Sequence, residues 1–263
     1  MTQSSFIRSE IRAGVLWVLF DRPQARNAMT ADMEHALLEI CLNVNDRPNI
    51  RAVVFSGAPA AHHAFMAGAD FGALETATTS EEFVALERGS EALLEAIEAI
   101  RVPTVAAMAG ACVGGGALLA LCCDVRIATP SLKFGFPIAR TVGNCLSVKN
   151  YARLVENLGM PRVKDMLFSA ALLRADDLAQ CRAIREVVAE DGLHERAQAI
   201  AEQLCALAPL TLWATKTSLF RLRDAAVAPV PDGDILAACY MSADFQEGVK
   251  AFLEKRKPVW QGR

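Results

Sequence analysis

Gly110-Ala111-Cys112-Val113-Gly114-Gly115-Gly116, running into the apolar stretch Ala117–Cys122, decides how this chain is organised. Just before it, Thr104–Met108 has the length and apolarity of a buried strand. Just after the glycines, Ala117–Cys122 reads as a buried helix. A strand, a glycine run and a helix form one α/β unit whose turn exposes bare backbone. The first N–H groups of a helix have no intrahelical partner, so such a turn is an oxyanion or phosphate site in waiting. A dinucleotide fingerprint needs a third glycine, but Leu119 holds that place, and the lysine of a phosphate loop is missing. Close helix–strand packing accounts for the glycines equally well.

Working outward, the same alternation recurs. Val15–Phe20 and Ala52–Phe55 read as strands, each closed by a turn signal. Thr30 caps a helix whose apolar positions are Met33, Leu37, Ile40, Cys41 and Val44. The small-residue segment Ala58–Gly72 is longer than an ordinary connection, which points to function. Within it, Ala67-Gly68-Ala69-Asp70 is a second backbone-rich site, with Asp70 placed to cap a helix from Phe71. Thr79 and Glu82 make a capping box for a helix through Ile100. Asp124–Ala128 and Lys133–Phe136 read as extended. Helices alone are expected from about residue 147, over 147–158, 161–168, 175–182, 192–206, 210–223 and 233–255. An α/β core therefore passes into a helical region without a linker.

Bulk composition narrows the function classes. A net charge of −3 argues against broad nucleic-acid binding. The longest apolar stretch, Val102–Cys123, is interrupted by Pro103 and the glycines, so it reads as core and not as a membrane span. The first residues lack a charged-then-apolar pattern, so a signal segment is not expected from them. The eight cysteines lack C-x-x-C spacing and read as reduced thiols of a cytoplasmic protein. Cysteine and histidine spacing gives no metal site, and His62 and His63 read as loop residues. Residues 250–263 carry Lys250, Lys255, Arg256, Lys257 and Arg263 against Glu254 alone, a solvated helix end or an anion site.

Taken in order, several segments resemble the crotonase (enoyl-CoA hydratase/isomerase) family along nearly the whole chain. They are Phe20-Asp21-Arg22-Pro23-Gln24-Ala25-Arg26-Asn27-Ala28-Met29, Phe65-Met66-Ala67-Gly68-Ala69-Asp70, Val102–Gly110 with Gly114-Gly115-Gly116, Asp124–Ala128, Ser242–Gly248 and Phe252–Pro258. The resemblance implies an α/β spiral of ββα units over 1–195, with the acyl-CoA site, and a helical trimerisation region over 196–263. It implies a homotrimer or dimer of trimers, and a coenzyme A thioester as substrate with no separate cofactor. By motif position it places the backbone N–H groups of Ala69 and Gly115 on the thioester oxygen. Gln24, Ala25, Arg26, Ala67, Gly68 and Asp70 would line the coenzyme A path, and Phe252 and Lys255 would reach its nucleotide end from a neighbouring subunit. A positive patch on an acidic protein suits a ligand carrying several phosphates.

Two positions depart from the pattern. Family hydratases carry a glutamate two residues after the glycine triplet, here Leu118. They carry a second after the proline of Phe134-Gly135-Phe136-Pro137, here Ile138. Hydrocarbon moves no proton, and loss of a positioned acid or base typically costs about 10²–10⁴-fold in rate. Two-glutamate hydration is therefore not expected. The next stretch, Ala139–Ser147, holds a single glycine and supplies Arg140, Thr141, Asn144 and Cys145 as candidates for a replacement polar set. Arg140 suits a carboxylate, Asn144 can donate to an oxygen, and Cys145 is a nucleophile without a histidine near in sequence. Three functions remain open: a crotonase-type lyase or isomerase of unusual chemistry, an ordinary hydratase or isomerase with a relocated base, and a non-catalytic acyl-CoA-binding or assembly subunit.

Overall fold

The computed structural model describes residues 5–59, 64–70, 80–228 and 230–263, with the side chains of 80–88 outside the description. The first two strands, β1 (Ile7–Arg12) and β2 (Val15–Phe20), form a hairpin. Its two turn residues, Ala13 and Gly14, both have positive φ (48° and 78°), the backbone twist that matches flanking strands. Beyond β2 the sheet is parallel. Strands β3 (Ala52–Gly57), β4 (Thr104–Met108), β6 (Val125–Ala128) and β8 (Glu186–Val187) follow in the order β1-β2-β3-β4-β6-β8.

All six residues of β2 are buried because both sheet faces are covered. Leu16, Val18 and Phe20 face one core with Val53, Phe55 and Ala106. Helices α1 (Ala31–Val44), α2 (Ser80–Glu98) and α3 (Gly115–Cys122) cover that side. Val15, Trp17 and Leu19 face the other with Val54, Val105 and Ile127, under α7 (Leu193–Cys205). Thr30 caps α1, accepting from the Met33 N–H at 3.3 Å.

A second, shorter layer gives the fold its spiral. β5 (Ala111–Val113) pairs in parallel with β7 (Lys133–Gly135), and Met66 bridges to Cys112 on the other side. The chain thus repeats one pattern. β3 leads to Phe65–Met66 and then α2. β4 leads to β5 and α3. β6 leads to β7 and, after a 3-10 turn, α4 (Val148–Leu158). These are the ββα units of a crotonase-type spiral. The remaining helices are α5 (Met160–Ser169), α6 (Ala175–Gln180), α8 (Pro209–Val227), α9 (Gly233–Tyr240) and α10 (Ala243–Leu253). No described helix is long and apolar enough to cross a membrane.

Two expectations are corrected. The region beyond 147 is not helices alone, because Glu186 and Val187 pair with Ile127 and Ala128 and extend the main sheet. A two-residue strand carries too little pattern to stand out in sequence. The single helix expected over 233–255 is two helices, because Ser242 leaves helical geometry (ψ 151°) and its hydroxyl caps α10 through the Phe245 N–H at 3.0 Å. Thr79 lies outside the described residues.

A buried ionic cluster ties three helices together. Glu98 on α2 receives Arg153 of α4 through Nε and Nη2 at 2.9 and 3.1 Å. It also receives Arg223 of α8 through Nη1 and Nη2 at 2.6 and 2.8 Å. Arg153 is fully buried and also meets Glu91 and Asn150. Burial alone would raise the Glu98 carboxyl, but its two arginines prevail and hold it down at about 2.

Candidate thioester site

The segment 64–70 is fixed by the turn that follows β2. Pro23–Ala25 is a 3-10 turn, and Arg26 and Asn27 both adopt left-handed backbone, with φ of 50° and 58°. Asparagine is among the residues that tolerate this region. Asn27 is fully buried, accepts from the Arg22 N–H at 2.8 Å and donates to the Ala64 carbonyl at 2.7 Å. The Ala67 N–H donates to the Arg26 carbonyl at 3.1 Å. Arg26, at the end of the turn that holds Gln24 and Ala25, is thereby brought beside Ala67. Gln24 and Arg26 remain exposed. Asp70 pairs with Arg22 at 2.6 Å, while residue 71 lies outside the described residues. Arg22 and Asn27 organise the site without having been singled out in the sequence. The signal for Asn27 was a polar residue next to a turn, which is common.

Met29 forms a parallel bridge with Ala69. In such a bridge the hydrogen bonds run to the flanking residues: Met29 N–H donates to Gly68 O at 2.8 Å, and Asp70 N–H donates to Met29 O at 2.7 Å. Ala69 is skipped, so its N–H points away from Met29. No described residue accepts from it, and Ala69 is exposed.

The three glycines stand in three different surroundings. Gly114 has φ 56° and ψ −123°, a conformation that side chains resist. At Gly116 a Cβ would lie 2.4 Å from the Met66 carbonyl oxygen, so close packing demands glycine. Gly115 has neither constraint: its φ is not positive, and a Cβ there would meet nothing within 4 Å. It opens α3, where its N–H has no intrahelical acceptor. The two backbone segments touch. A Cβ on Gly114 would lie 3.7 Å from Gly68 Cα, and one on Gly68 would lie 3.2 Å from Val113 O. Ala69 and Gly115 each follow one of these contacting glycines, both exposed and both with an N–H to offer.

The two positions where family hydratases carry glutamate are hydrocarbon packed against the core. The Gly114 N–H donates to Gly135 O at 3.0 Å, which brings Phe136–Ile138 alongside α3. Leu118 is 6% exposed, and Ile138 packs against the same cluster. Further on, Arg140 is exposed at the end of the 3-10 turn Pro137–Arg140, and Thr141 donates through its hydroxyl to Pro137 O at 3.0 Å. Cys145 is buried, with Sγ 3.9 Å from Ile235 O. Asn144 donates through Nδ2 to the Tyr240 hydroxyl at 3.3 Å. Tyr240 lies 96 positions away, so only the fold could reveal it. His62 and His63 lie outside the described residues.

The model of the enoyl-CoA hydratase/isomerase family matches residues 10–263. The chain belongs to this family. Among its crotonase relatives, a crotonyl-CoA hydratase of Syntrophomonas wolfei subsp. wolfei is 29% identical over 97% of this chain and 96% of its own. A solved enoyl-CoA hydratase/carnithine racemase from Magnetospirillum magneticum is 30% identical, with a TM-score of 0.79 over 99% of this chain and 97% of that one. A methylmalonyl-CoA decarboxylase in complex with 2-nitronate-propionyl-CoA superposes with a TM-score of 0.89 over 99% and 100% at 22% identity, a likeness of fold.

The C-terminus of this crotonase-family chain is less basic than its sequence. Arg256 is held bidentate by Glu247 at 2.5 and 2.8 Å and again by Glu254 at 2.6 Å. Lys250, Lys255 and Lys257 remain exposed. Lys255 is the left-handed residue (φ 55°) that terminates α10, where Arg256 N–H donates to Ala251 O at 3.0 Å. Phe252 is 47% exposed. Within one protomer, α10 packs on α9 and on the Val142–Gly143 turn.

Proposed function

We propose that this chain binds an acyl-coenzyme A thioester and holds its carbonyl oxygen between the N–H groups of Ala69 and Gly115. One observation carries the reading: Gly115 is the glycine of the triplet that neither strain nor packing requires. It faces open space at a helix start, where an oxyanion is welcome. Ala69 is bypassed by its own bridge for the same use. Donors of this kind stabilise the charge that forms on the thioester oxygen when the α-carbon carries negative charge. Each donor in comparable sites is worth roughly 3–4 kcal/mol in the transition state.

The chemistry lies outside two-glutamate hydration. Leu118 and Ile138 put hydrocarbon where the family's hydratases hold carboxylates. A lyase or isomerase step that draws its driving force from enolate stabilisation fits the backbone donors. The absence of a carboxylate at both places also favours a second reading, an acyl-CoA-binding or assembly subunit without turnover. Gln24, Ala25, Arg26, Ala67, Gly68 and Asp70 would line the coenzyme A path, and the exposed Phe252 and Lys255 would serve a neighbour's site. Exposed Leu210, Leu219 and Leu222 on α8 support a homotrimer or dimer of trimers in a cytoplasmic protein.

Calorimetry with acyl-CoA esters and a crotonyl-CoA hydration assay test these statements. Binding without efficient hydration is expected. Turnover near the typical ~10 s⁻¹ would defeat the argument from Leu118 and Ile138. Gly115→Pro removes one donor at a position where helices accept proline. If that variant folds and keeps full ester affinity and activity, the oxyanion assignment is wrong.

A further inference from the structure

Arg22 stands behind one of the two backbone donors. Its Nη1 meets two acceptors, the Ala28 carbonyl at 2.9 Å and the Asp70 carboxylate at 2.6 Å. The turn after β2 fixes its main chain: Arg22 O accepts from the Ala25 and Asn27 N–H groups at 3.1 and 3.0 Å, and the Arg22 N–H donates to Asn27 Oδ1. The Phe6 ring lies 5.7 Å from the guanidinium carbon. Nε is sealed from solvent, and no described residue accepts from it. A guanidinium withdrawn this far from water keeps more of its field than one in bulk solvent.

A line of hydrogen-bonded peptides runs from this cation to Ala69. The Ala28 carbonyl held by Arg22 belongs to the same peptide as the Met29 N–H. That N–H donates to Gly68 O at 2.8 Å. The Gly68 carbonyl belongs, in turn, to the same peptide as the Ala69 N–H. Both peptides are trans, so in each the carbonyl faces back towards the donor and the N–H faces onward. A bond donated into the carbonyl draws electrons from the N–H across the peptide and makes it a better donor. Such chains strengthen by about 10–30% per bond. The positive charge of Arg22 sits at the end of the line where it adds to this polarisation.

The other donor has a different backing. Gly115 opens α3, and the helix dipole makes its N–H attractive to negative charge. Ala69 has no helix behind it among the described residues, and Arg22 takes that part. The ion pair has a second effect. Asp70 follows Ala69 directly, and a bare carboxylate so close would repel an oxyanion; Arg22 offsets it.

We propose that Arg22 is a positioning residue for the Ala69 donor, fixing and polarising its N–H through the Ala28–Met29 and Gly68–Ala69 peptides. This rests on the thioester reading above. The thioester oxygen then meets a stronger donor at Ala69 than an isolated peptide would offer.

The test is difference infrared spectroscopy of butyryl-CoA, isotope-labelled at the thioester carbonyl carbon and bound at saturation to the full chain. In the wild type the carbonyl band should move to lower frequency on binding. Arg22→Gln removes the charge and should lose on the order of 10–30% of that displacement. Arg22→Lys keeps the charge and should recover most of what glutamine loses. Asp70→Asn removes the counter-charge, so the displacement should hold or grow, and this variant carries the test if Arg22→Gln does not fold. A pair that served stability alone would do the opposite, because losing either partner would loosen the segment and shrink the displacement. The proposal is overturned by a displacement that Arg22→Gln leaves whole, by one that shrinks in Asp70→Asn, or by a lysine variant no better than glutamine. Each of these leaves the thioester site standing. If no ester binds, or the wild-type band does not move, the thioester reading fails and this inference falls with it.

Discussion

Substituting alanine at each glycine of the triplet separates the three surroundings in which the structure places them. At Gly116 the new Cβ would stand 2.4 Å from Met66 O, 0.6 Å inside the 3.0 Å limit that real Cβ atoms respect, and 2.7 Å from Met66 Cβ. Met66 O also accepts the Val113 N–H at 2.9 Å, so relief by backbone movement breaks the bridge between the 64–66 segment and β5. Overpacking of about 1–3 kcal/mol plus one hydrogen bond of about 1 kcal/mol gives a loss of roughly 2–4 kcal/mol. Gly114→Ala forces a side chain into φ 56°, ψ −123° and should lose about 1–3 kcal/mol. Gly115→Ala meets no atom and removes backbone freedom from the unfolded chain, so it should be neutral or gain up to about 1 kcal/mol. For a chain of this length 1 kcal/mol corresponds to about 2 °C. Thermal melts at fixed protomer concentration should therefore fall by roughly 4–8 °C for Gly116→Ala and hold or rise slightly for Gly115→Ala. The same Gly115→Ala methyl projects into the open space assigned to the thioester, so ester affinity should drop while stability does not. Equal destabilisation at 115 and 116, or a neutral Gly116→Ala, would refute the reasoning.

Three further outcomes follow from named groups. Glu98→Gln should lose about 3 kcal/mol at neutral pH, because two buried arginines lose the carboxylate they share and keep Glu91 and Asp224 at its margin. Since the folded Glu98 pKa is lowered from 4.5 to about 2, its contribution is full above pH 4.5 and fades towards pH 2. The wild type should therefore lose stability through that window more steeply than Glu98→Gln, and parallel melts in acid would contradict the cluster. His194, partly buried with Nε2 3.1 Å from Gly57 O, has its pKa lowered below 6.5 chiefly by burial. Below pH 6.5 the unfolded chain takes a proton that the folded imidazole resists, so stability should fall as pH falls, and His194→Gln should flatten that slope in urea titrations. Lys255→Gly relieves a left-handed lysine at the end of α10 and should stabilise by about 1 kcal/mol, read as a rise of about 2 °C. A fall would show that Lys255 makes a contact that outweighs the strain.

Local pattern was enough for the framework. Thr30 before an apolar repeat predicts α1, and its hydroxyl does cap that helix. Val15–Phe20 and Thr104–Met108 are long enough and apolar enough to be buried strands, and they sit in the middle of the main sheet. Where the signal was short, it failed. β8 is two residues long, and the break at Ser242 depends on one side chain finding the Phe245 N–H. The expected basic patch at 250–263 was weakened by Glu247, which reaches Arg256 from the preceding helix.

What the sequence by itself determined is the alternation of strand and helix in the first half, the family motifs, and the hydrocarbon at Leu118 and Ile138. These are matters of residue type and spacing along the chain. What the tertiary structure decided is the use of each glycine. Three identical residues in a row carry no sequence difference, and only the neighbours in space distinguish them. The Met66 carbonyl requires Gly116, the backbone turn requires Gly114, and open space leaves Gly115 under neither constraint. The same holds for Asn144, whose anchor at Tyr240 and whose unsatisfied oxygen arise from packing between segments far apart in the chain.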